Sequence, residues 1–218
     1  MKKFLTAYKN PVLFAGYPFH LYVLVDNISD ADNVRLVCTH HTTTYTGSQF
    51  QNKGIYQLPV QDTSNSFEAY VDAIKDSTTT VLTETLKCLT REKCDGIYLR
   101  WENDLGGYDY WLFAGNERDR INSGTRDQFQ PFIEDIENKT GNFEIIKKRY
   151  DKTIRIFTDF PRNNVEGFEQ LSRSRFVEMY YADQWWKVDI DIHTLSISKF
   201  QPYGKCAVDI ILPQIYVK

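Results

Sequence analysis

The sequence lacks any long apolar run. No stretch of its 218 residues approaches the roughly 20 apolar residues that a membrane-spanning helix needs, so a membrane partner is not expected. The opening Met1-Lys2-Lys3-Phe4-Leu5 breaks into polarity at Thr6 and Tyr8-Lys9-Asn10, which is too early for the apolar core of a secretory signal. The expectation is a soluble protein made without Sec export. Cysteine is scarce. Cys38, Cys88, Cys94 and Cys206 are too few for a disulfide framework. Cys88 and Cys94 are separated by five residues, outside the usual gap of structural zinc pairs, although His40-His41 can be imagined as the other half of a site. Buried or half-buried thiols are the simpler expectation, with no metal and no cofactor.

Excess positive charge is also missing. The formal net charge is -3, and Lys147-Lys148-Arg149 is the main basic cluster, flanked by apolar residues like the solvated edge of a strand. Nucleic acid is therefore not an expected partner. The chain has no Gly-x-Ser-x-Gly, no phosphate-cradling glycine loop and no His-Glu-x-x-His. His20, His40, His41 and His193 stand near no nucleophile motif. An enzyme is not expected, and no catalytic residue is nominated.

What the chain does have is aromatic side chains. Tyr, Phe and Trp make up 15% of it, and these residues suit pleated, half-buried surfaces. Short strand-like runs recur at 18–26, 34–44, 55–60, 79–89, 142–148, 153–159, 175–181, 184–192, 195–200 and 205–212, without the alternation that marks parallel βαβ units. Turn signals stand at Tyr150-Asp151-Lys152, Ala182-Asp183 and Tyr203-Gly204. Phe67, Tyr70, Val71 and Ile74 fit helical spacing and predict a short helix or turn. Residues 128–137 read as helix or strand. Asn163-Asn164 can cap a short helix through Leu171, with Val165, Phe168 and Leu171 on one side.

The sharpest pattern is Gly96 to Phe113. Ile97, Leu99 and Trp101 alternate with Tyr98, Arg100 and Glu102. Beyond Asn103-Asp104-Leu105-Gly106-Gly107, Tyr108, Tyr110 and Leu112 alternate with Asp109, Trp111 and Phe113. This predicts a β-hairpin whose structural turn rests on Gly106 and Gly107. The polar stretch 114–127 reads as a linker or inter-domain excursion. The predicted fold is mainly β: two antiparallel β-sandwich-like modules, residues 1–115 and 116–218, with one or two short helices, one of them near 164–172.

Two groups of residues could carry function. Glu102, Asp104 and Asp109 cluster at the hairpin, as a two-carboxylate hydrolase would require, and Asp189 and Asp191 share one strand face. Asp189 and Asp191 read more simply as solvent-exposed surface, and Glu102 and Arg100 as partners of cross-strand neighbours. The tryptophans are the better candidates, because Trp is enriched in protein interfaces. Trp101, Trp111, Trp185 and Trp186 are the candidate interface residues. In the Trp185-Trp186 doublet, neighbouring strand positions send one indole to each face.

The hairpin, from Cys94 through Ile97-Tyr-Leu-Arg-Trp-Glu-Asn-Asp-Leu-Gly-Gly-Tyr-Asp-Tyr-Trp-Leu-Phe113, resembles a pattern in tail-associated structural proteins of phages and prophages of Bacteroidetes-type bacteria. Asn10-Pro11-Val12 precedes it. An Arg/Thr-rich stretch at 123–126, Leu171-Ser172-Arg173-Ser174, Trp186-Lys187-Val188, Ile197-Ser198-Lys199 and a strand over 208–212 follow in the same order. The match departs at Leu212-Pro213. The resemblance implies a non-enzymatic virion component of a tail, neck or baseplate. Its partners would be copies of itself and other virion proteins, with a host glycan as a further candidate. The alternative reading is a carbohydrate-binding β-sandwich module using exposed Trp and Tyr.

Overall fold

A computed structural model describes residues 3–25, 31–39, 41–50, 53–60, 65–92, 94–129, 144–198 and 200–212. The strands are β1 (Lys3–Phe4), β2 (Val12–Phe14), β3 (Phe19–Val25), β4 (Asn33–Cys38), β5 (Thr42–Thr46), β6 (Gly54–Val60), β7 (Phe67–Lys75), β8 (Thr78–Val81), β9 (Leu86–Arg91), β10 (Ile97–Glu102), β11 (Tyr108–Phe113), β12 (Gly115–Phe129), β13 (Glu144–Pro161), β14 (Val177–Tyr181), β15 (Gln184–Ser196) and β16 (Tyr203–Ile211). Helix α1 spans Val165–Leu171. The fold is mainly β, as the aromatic and β-branched composition predicts, with sandwich-like, curled antiparallel sheets.

β1, β3 and β6 form a three-stranded sheet. A second sheet has the order β2-β9-β7-β4-β5, with β8 also paired to β7. In it β2 runs parallel to β9, while the pairings of β4, β5, β7 and β8 are antiparallel. The third sheet has seven strands in the order β11-β10-β14-β15-β16-β13-β12. Its first members come from the predicted hairpin and the rest from the C-terminal half. The expected boundary at 115/116 therefore falls inside one sheet, where β10 pairs with β14 from Tyr98↔Tyr180 to Trp101↔Val177.

Several local expectations are corrected. Residues 67–75 are strand, not helix. Asp76 and Ser77, both at positive φ, turn this strand tightly into β8. Residues 115–129 are the long strand β12, not a linker. Tyr150-Asp151-Lys152 lies inside the continuous strand β13, and Tyr203-Gly204 opens β16 rather than making a turn. Ala182-Asp183 does form a turn, at positive φ between the paired Tyr181 and Gln184. α1 begins where the capping signal placed it, but the Asn164 side chain makes no cap hydrogen bond. The segment 130–143, within which most of the helix-or-strand expectation falls, lies outside the described residues.

The core is continuous across the sheets. Tyr98, Leu99, Trp101, Tyr110, Trp111 and Phe113 of the hairpin are all buried. Phe14 and Phe19 of the N-terminal strands pack against Tyr98 and Tyr110, and Phe168 of α1 packs against Trp101 and Trp111. The hairpin is thus the common wall between the first part of the chain and the last.

Candidate binding surfaces

The hairpin register decides which of its side chains are available. Leu99 pairs with Trp111 and Trp101 with Asp109, so these lie on one face. Arg100 pairs with Tyr110 and Glu102 with Tyr108, so these lie on the other. On the first face Trp101 and Trp111 are both 0% exposed. Trp101 Nε1 donates to the Gly167 carbonyl at 3.1 Å, and Trp111 Nε1 donates to Thr158 Oγ1 at 3.0 Å. Each indole has a dry pocket and a partner for its N–H, which is the requirement for burying a tryptophan. These two interface candidates are core residues instead, out of reach of any partner or sugar.

Asp109 is buried beside them. Its carboxylate accepts from Thr6 Oγ1 at 2.5 Å, from the Ala7 N–H at 3.1 Å and from Asn103 Nδ2 at 3.0 Å. Asn103 Nδ2 also donates to the Leu5 carbonyl, while its Oδ1 accepts the N–H groups of Leu105 and Gly107. One Asn–Asp pair therefore closes the hairpin turn and ties the N-terminal segment to it. Burial pushes the Asp109 carboxyl up to about 6, against three hydrogen bonds that favour the ionised form. Apart from the turn-forming character of Asn103, nothing in the local pattern signals this role.

The three acids expected together at the hairpin are apart in function. Glu102 is on the opposite face from Asp109 and half-buried. Asp104 is exposed and ion-pairs with Arg173 at 3.2 Å. They do not converge on one point. Among the described residues no group of His, Cys, Asp and Glu could hold a metal ion. Cys38, Cys88 and Cys206 are buried, and burial pushes their thiols up to about 11, about 12 and about 12. Cys94 is exposed, and His40 lies outside the described residues.

On the second hairpin face a strip of mixed aromatic and charged side chains reaches solvent. The Arg100 guanidinium lies 5.0 Å from the Tyr108 ring and 4.2 Å from the Trp185 ring, and Arg100 Nε donates to Glu178 Oε2 at 2.6 Å. Trp185 is half-buried, with Arg100, Tyr98 and Tyr180 around it. It is an inner support of the strip rather than an open platform. The nearby cleft bounded by Phe4, Tyr8, His20, Tyr22 and Tyr110 has about 10 Å³ of free space, enough for one water and too little for a substrate.

Trp186 differs from the other three. It is 52% exposed and shares its outward face with Tyr181, which is 67% exposed. Along the same face, Val177, Val188 and Ile190 floor a shallow groove of about 210 Å³, rimmed by Ser172, Ser174 and Arg175. Asp189 and Asp191 are exposed while Val188 is buried and Ile190 and Ile192 half-buried, the alternation that the sequence predicts.

The last feature is backbone rather than side chain. β13 pairs with β16 from Thr153 to Pro161 only. From Ile121↔Lys152 outward to Phe129↔Glu144, β12 and β13 pair with each other and with no other strand among the described residues. Residues 121–129 and 144–152 thus form a two-stranded ribbon that runs on beyond the sheet, about 30 Å long at about 3.3 Å per residue.

No family model matches the sequence, and no curated protein matches it. Among solved structures the chain is similar to one described as a Kfla1895 mutant in complex with cyclobis-(1->6)-alpha-nigerosyl. The identity is 9% and the TM-score 0.28, over 94% of this chain and 30% of that one. A likeness this distant transfers neither fold nor function, so the reading rests on the geometry above.

Proposed function

We propose that this chain is a non-enzymatic structural component of a phage virion, a tail, neck or baseplate subunit that assembles in several copies with other virion proteins. The ribbon carries the reading. An isolated two-stranded ribbon is marginal in water, because two strands alone cannot bury enough apolar surface to offset their ordering. A chain that extends one some 30 Å past its sheet is suited to laying it against another molecule. The Tyr108–Arg100–Trp185 strip adds the residue types that dominate binding energy at interfaces. The resemblance of the hairpin to tail-associated proteins supplies the setting.

Mass spectrometry of purified particles from a strain carrying this gene is the test. The chain should be present in fixed stoichiometry with known virion proteins. Its consistent absence from intact particles would end the proposal.

The exposed pair Trp186 and Tyr181, beside a groove with a hydroxyl-bearing rim, favours a second reading: carbohydrate binding, in which the rings stack on sugar faces. Saturable quenching of tryptophan fluorescence by a polysaccharide, lost in Trp186→Ala, would support it. A blank glycan array would count against it.

A further inference from the structure

β5 is the last strand of its sheet, and among the described residues it pairs with β4 alone. The register fixes which backbone groups that pairing uses. Cys38 and His41 exchange both backbone hydrogen bonds, at 2.8 Å and 3.3 Å. At the other end the Gly47 N–H donates to the Asp32 carbonyl at 2.9 Å. Bonded and non-bonded pairs alternate along an antiparallel ladder, so Leu36↔Thr43 and Val34↔Tyr45 carry the bonds between these ends. Thr42, Thr44 and Thr46 hold the non-bonded positions. Their N–H and C=O groups point away from β4, and all three residues are exposed. Among the described residues no other strand takes up these groups.

An open edge is a template for another strand, and edges are guarded by charge, proline, brevity or burial. β6 carries Pro59, β2 is buried along its length, and the sequence of β12 is rich in charged residues. β5 reads Thr-Thr-Thr-Tyr-Thr, with no charge, no proline and no glycine. The charges behind its centre cancel. Arg35, which pairs with Thr44, holds Asp72 through two hydrogen bonds, at 2.9 Å and 2.7 Å.

We infer that this edge pairs with β5 of a second copy, antiparallel, about a two-fold axis through Thr44. In that register Thr44 faces Thr44 and Thr42 faces Thr46. Every outward position then meets another outward position, and each pair exchanges two backbone hydrogen bonds. A register one residue off sets outward positions against inward ones, and a register two residues off loses a pair. This symmetry about Thr44 is what selects an identical strand, and the neutral edge gives that strand no like charge to meet. On the exposed face the contacts are Thr against Thr. On the other face Tyr45, half-buried with its ring 5.9 Å from that of Phe50, meets Thr43 of the second copy, an aromatic–β-branched pair. Because the strand is its own partner, the contact is isologous and closes as a dimer. It supplies a self-contact for the several-copy assembly proposed above without resting on the virion setting.

The test is sedimentation equilibrium of the full purified chain, with circular dichroism to confirm that each variant keeps its sheet spectrum. The wild type should dimerise at chain concentrations up to about 100 µM. Thr44→Lys and, separately, Thr44→Glu should each weaken the dimer at least ~10-fold, because like charges then face each other across the axis. Mixing the two should give a heterodimer, recovered through an affinity tag on one of them. Thr44→Pro removes an outward N–H but no hydrogen bond to β4, a position where an edge strand tolerates proline, and it should also lower dimer affinity at least ~10-fold. If Thr44→Pro fails to fold, the Lys and Glu variants decide. The inference is overturned if the wild type stays monomeric, which would hand the edge to a strand of another protein. It is equally overturned if the folded variants dimerise as the wild type does, or if the Lys and Glu variants form no heterodimer. A dimer with this behaviour in a chain absent from particles would remove the virion reading and leave this contact standing, and a monomeric chain found in particles would do the reverse.

Discussion

At the residue scale the four tryptophans separate by environment. Trp101 and Trp111 are walls of the core, so replacing either with Ala should cost about 3–5 kcal/mol, as for other buried large-to-small changes. Trp186→Ala, at an exposed position, should stay within about 1 kcal/mol. Urea denaturation of the three variants checks the ordering. If Trp186→Ala proves as damaging as Trp111→Ala, the exposed assignment is wrong. Asp109 makes a prediction about pH. Its folded value of about 6 lies above the ordinary 3.8, so the folded state holds this proton more tightly than the unfolded state. Its contribution is therefore fully present below about pH 4 and is lost as pH rises through about 6. Asp109→Asn should flatten that segment of the stability profile, though it also loses an acceptor facing three donors. Unfolding midpoints at pH 4.5 and pH 7 compare the two chains. An unchanged slope in the variant would show that another group is responsible.

At the scale of the element, the hairpin turn shows two glycines doing different things. Gly106 sits at φ 85, where side chains are strained, and a Cβ there would lie 3.0 Å from the Ile55 side chain. Gly107 has ordinary φ, but a Cβ would come 2.2 Å from the Leu5 carbonyl oxygen. Gly106→Ala should cost about 1 kcal/mol or somewhat more through backbone strain. Gly107→Ala should cost more still, because the N-terminal segment must move off the turn. Thermal unfolding ranks the two, and the reverse order would contradict the packing. Sequence periodicity misled at β7 for a related reason. Phe67, Tyr70, Val71 and Ile74 match helical spacing, yet the strand is buried on both faces over Val71–Ala73, which erases the period-two alternation. The better signal was the Asp76-Ser77 turn leading into the Thr-rich β8. Tyr150-Asp151-Lys152 has the polar composition of a turn, yet it pairs with Ser123, Asn122 and Ile121 inside the β12–β13 ladder, a partner that local composition does not reveal.

At the scale of the whole molecule, the backbone pairings among the described residues join the ribbon to the body at its root, where β13 meets β16 at Thr153. Replacing residues 121–152 with an Asn-Gly turn should leave the melting temperature within a few degrees of wild type, since every pairing of β13 with β16 is kept. A collapse in melting temperature would mean that the ribbon packs back on its own sheet. The molecule also explains why a boundary at 115/116 could not be read from the chain. The polar run after Phe113 resembles a linker, but β12 is the terminal strand of a seven-stranded sheet, and charged residues in an edge strand guard against unwanted pairing.

Local pattern is enough for the β-rich class, the aromatic hairpin with its glycine turn, the short helix at 165–171 and the exposed face of Asp189 and Asp191. Each of these is written in local periodicity or backbone preference, which act within a few residues. Long-range packing and pairing set which tryptophans are core, that Asp109 fastens the N-terminal segment, and that strands from both halves share one sheet with a ribbon running past its end. Those outcomes depend on pairings between residues far apart in the chain. An alternating pattern states that a side chain has a face, but not what will lie against it.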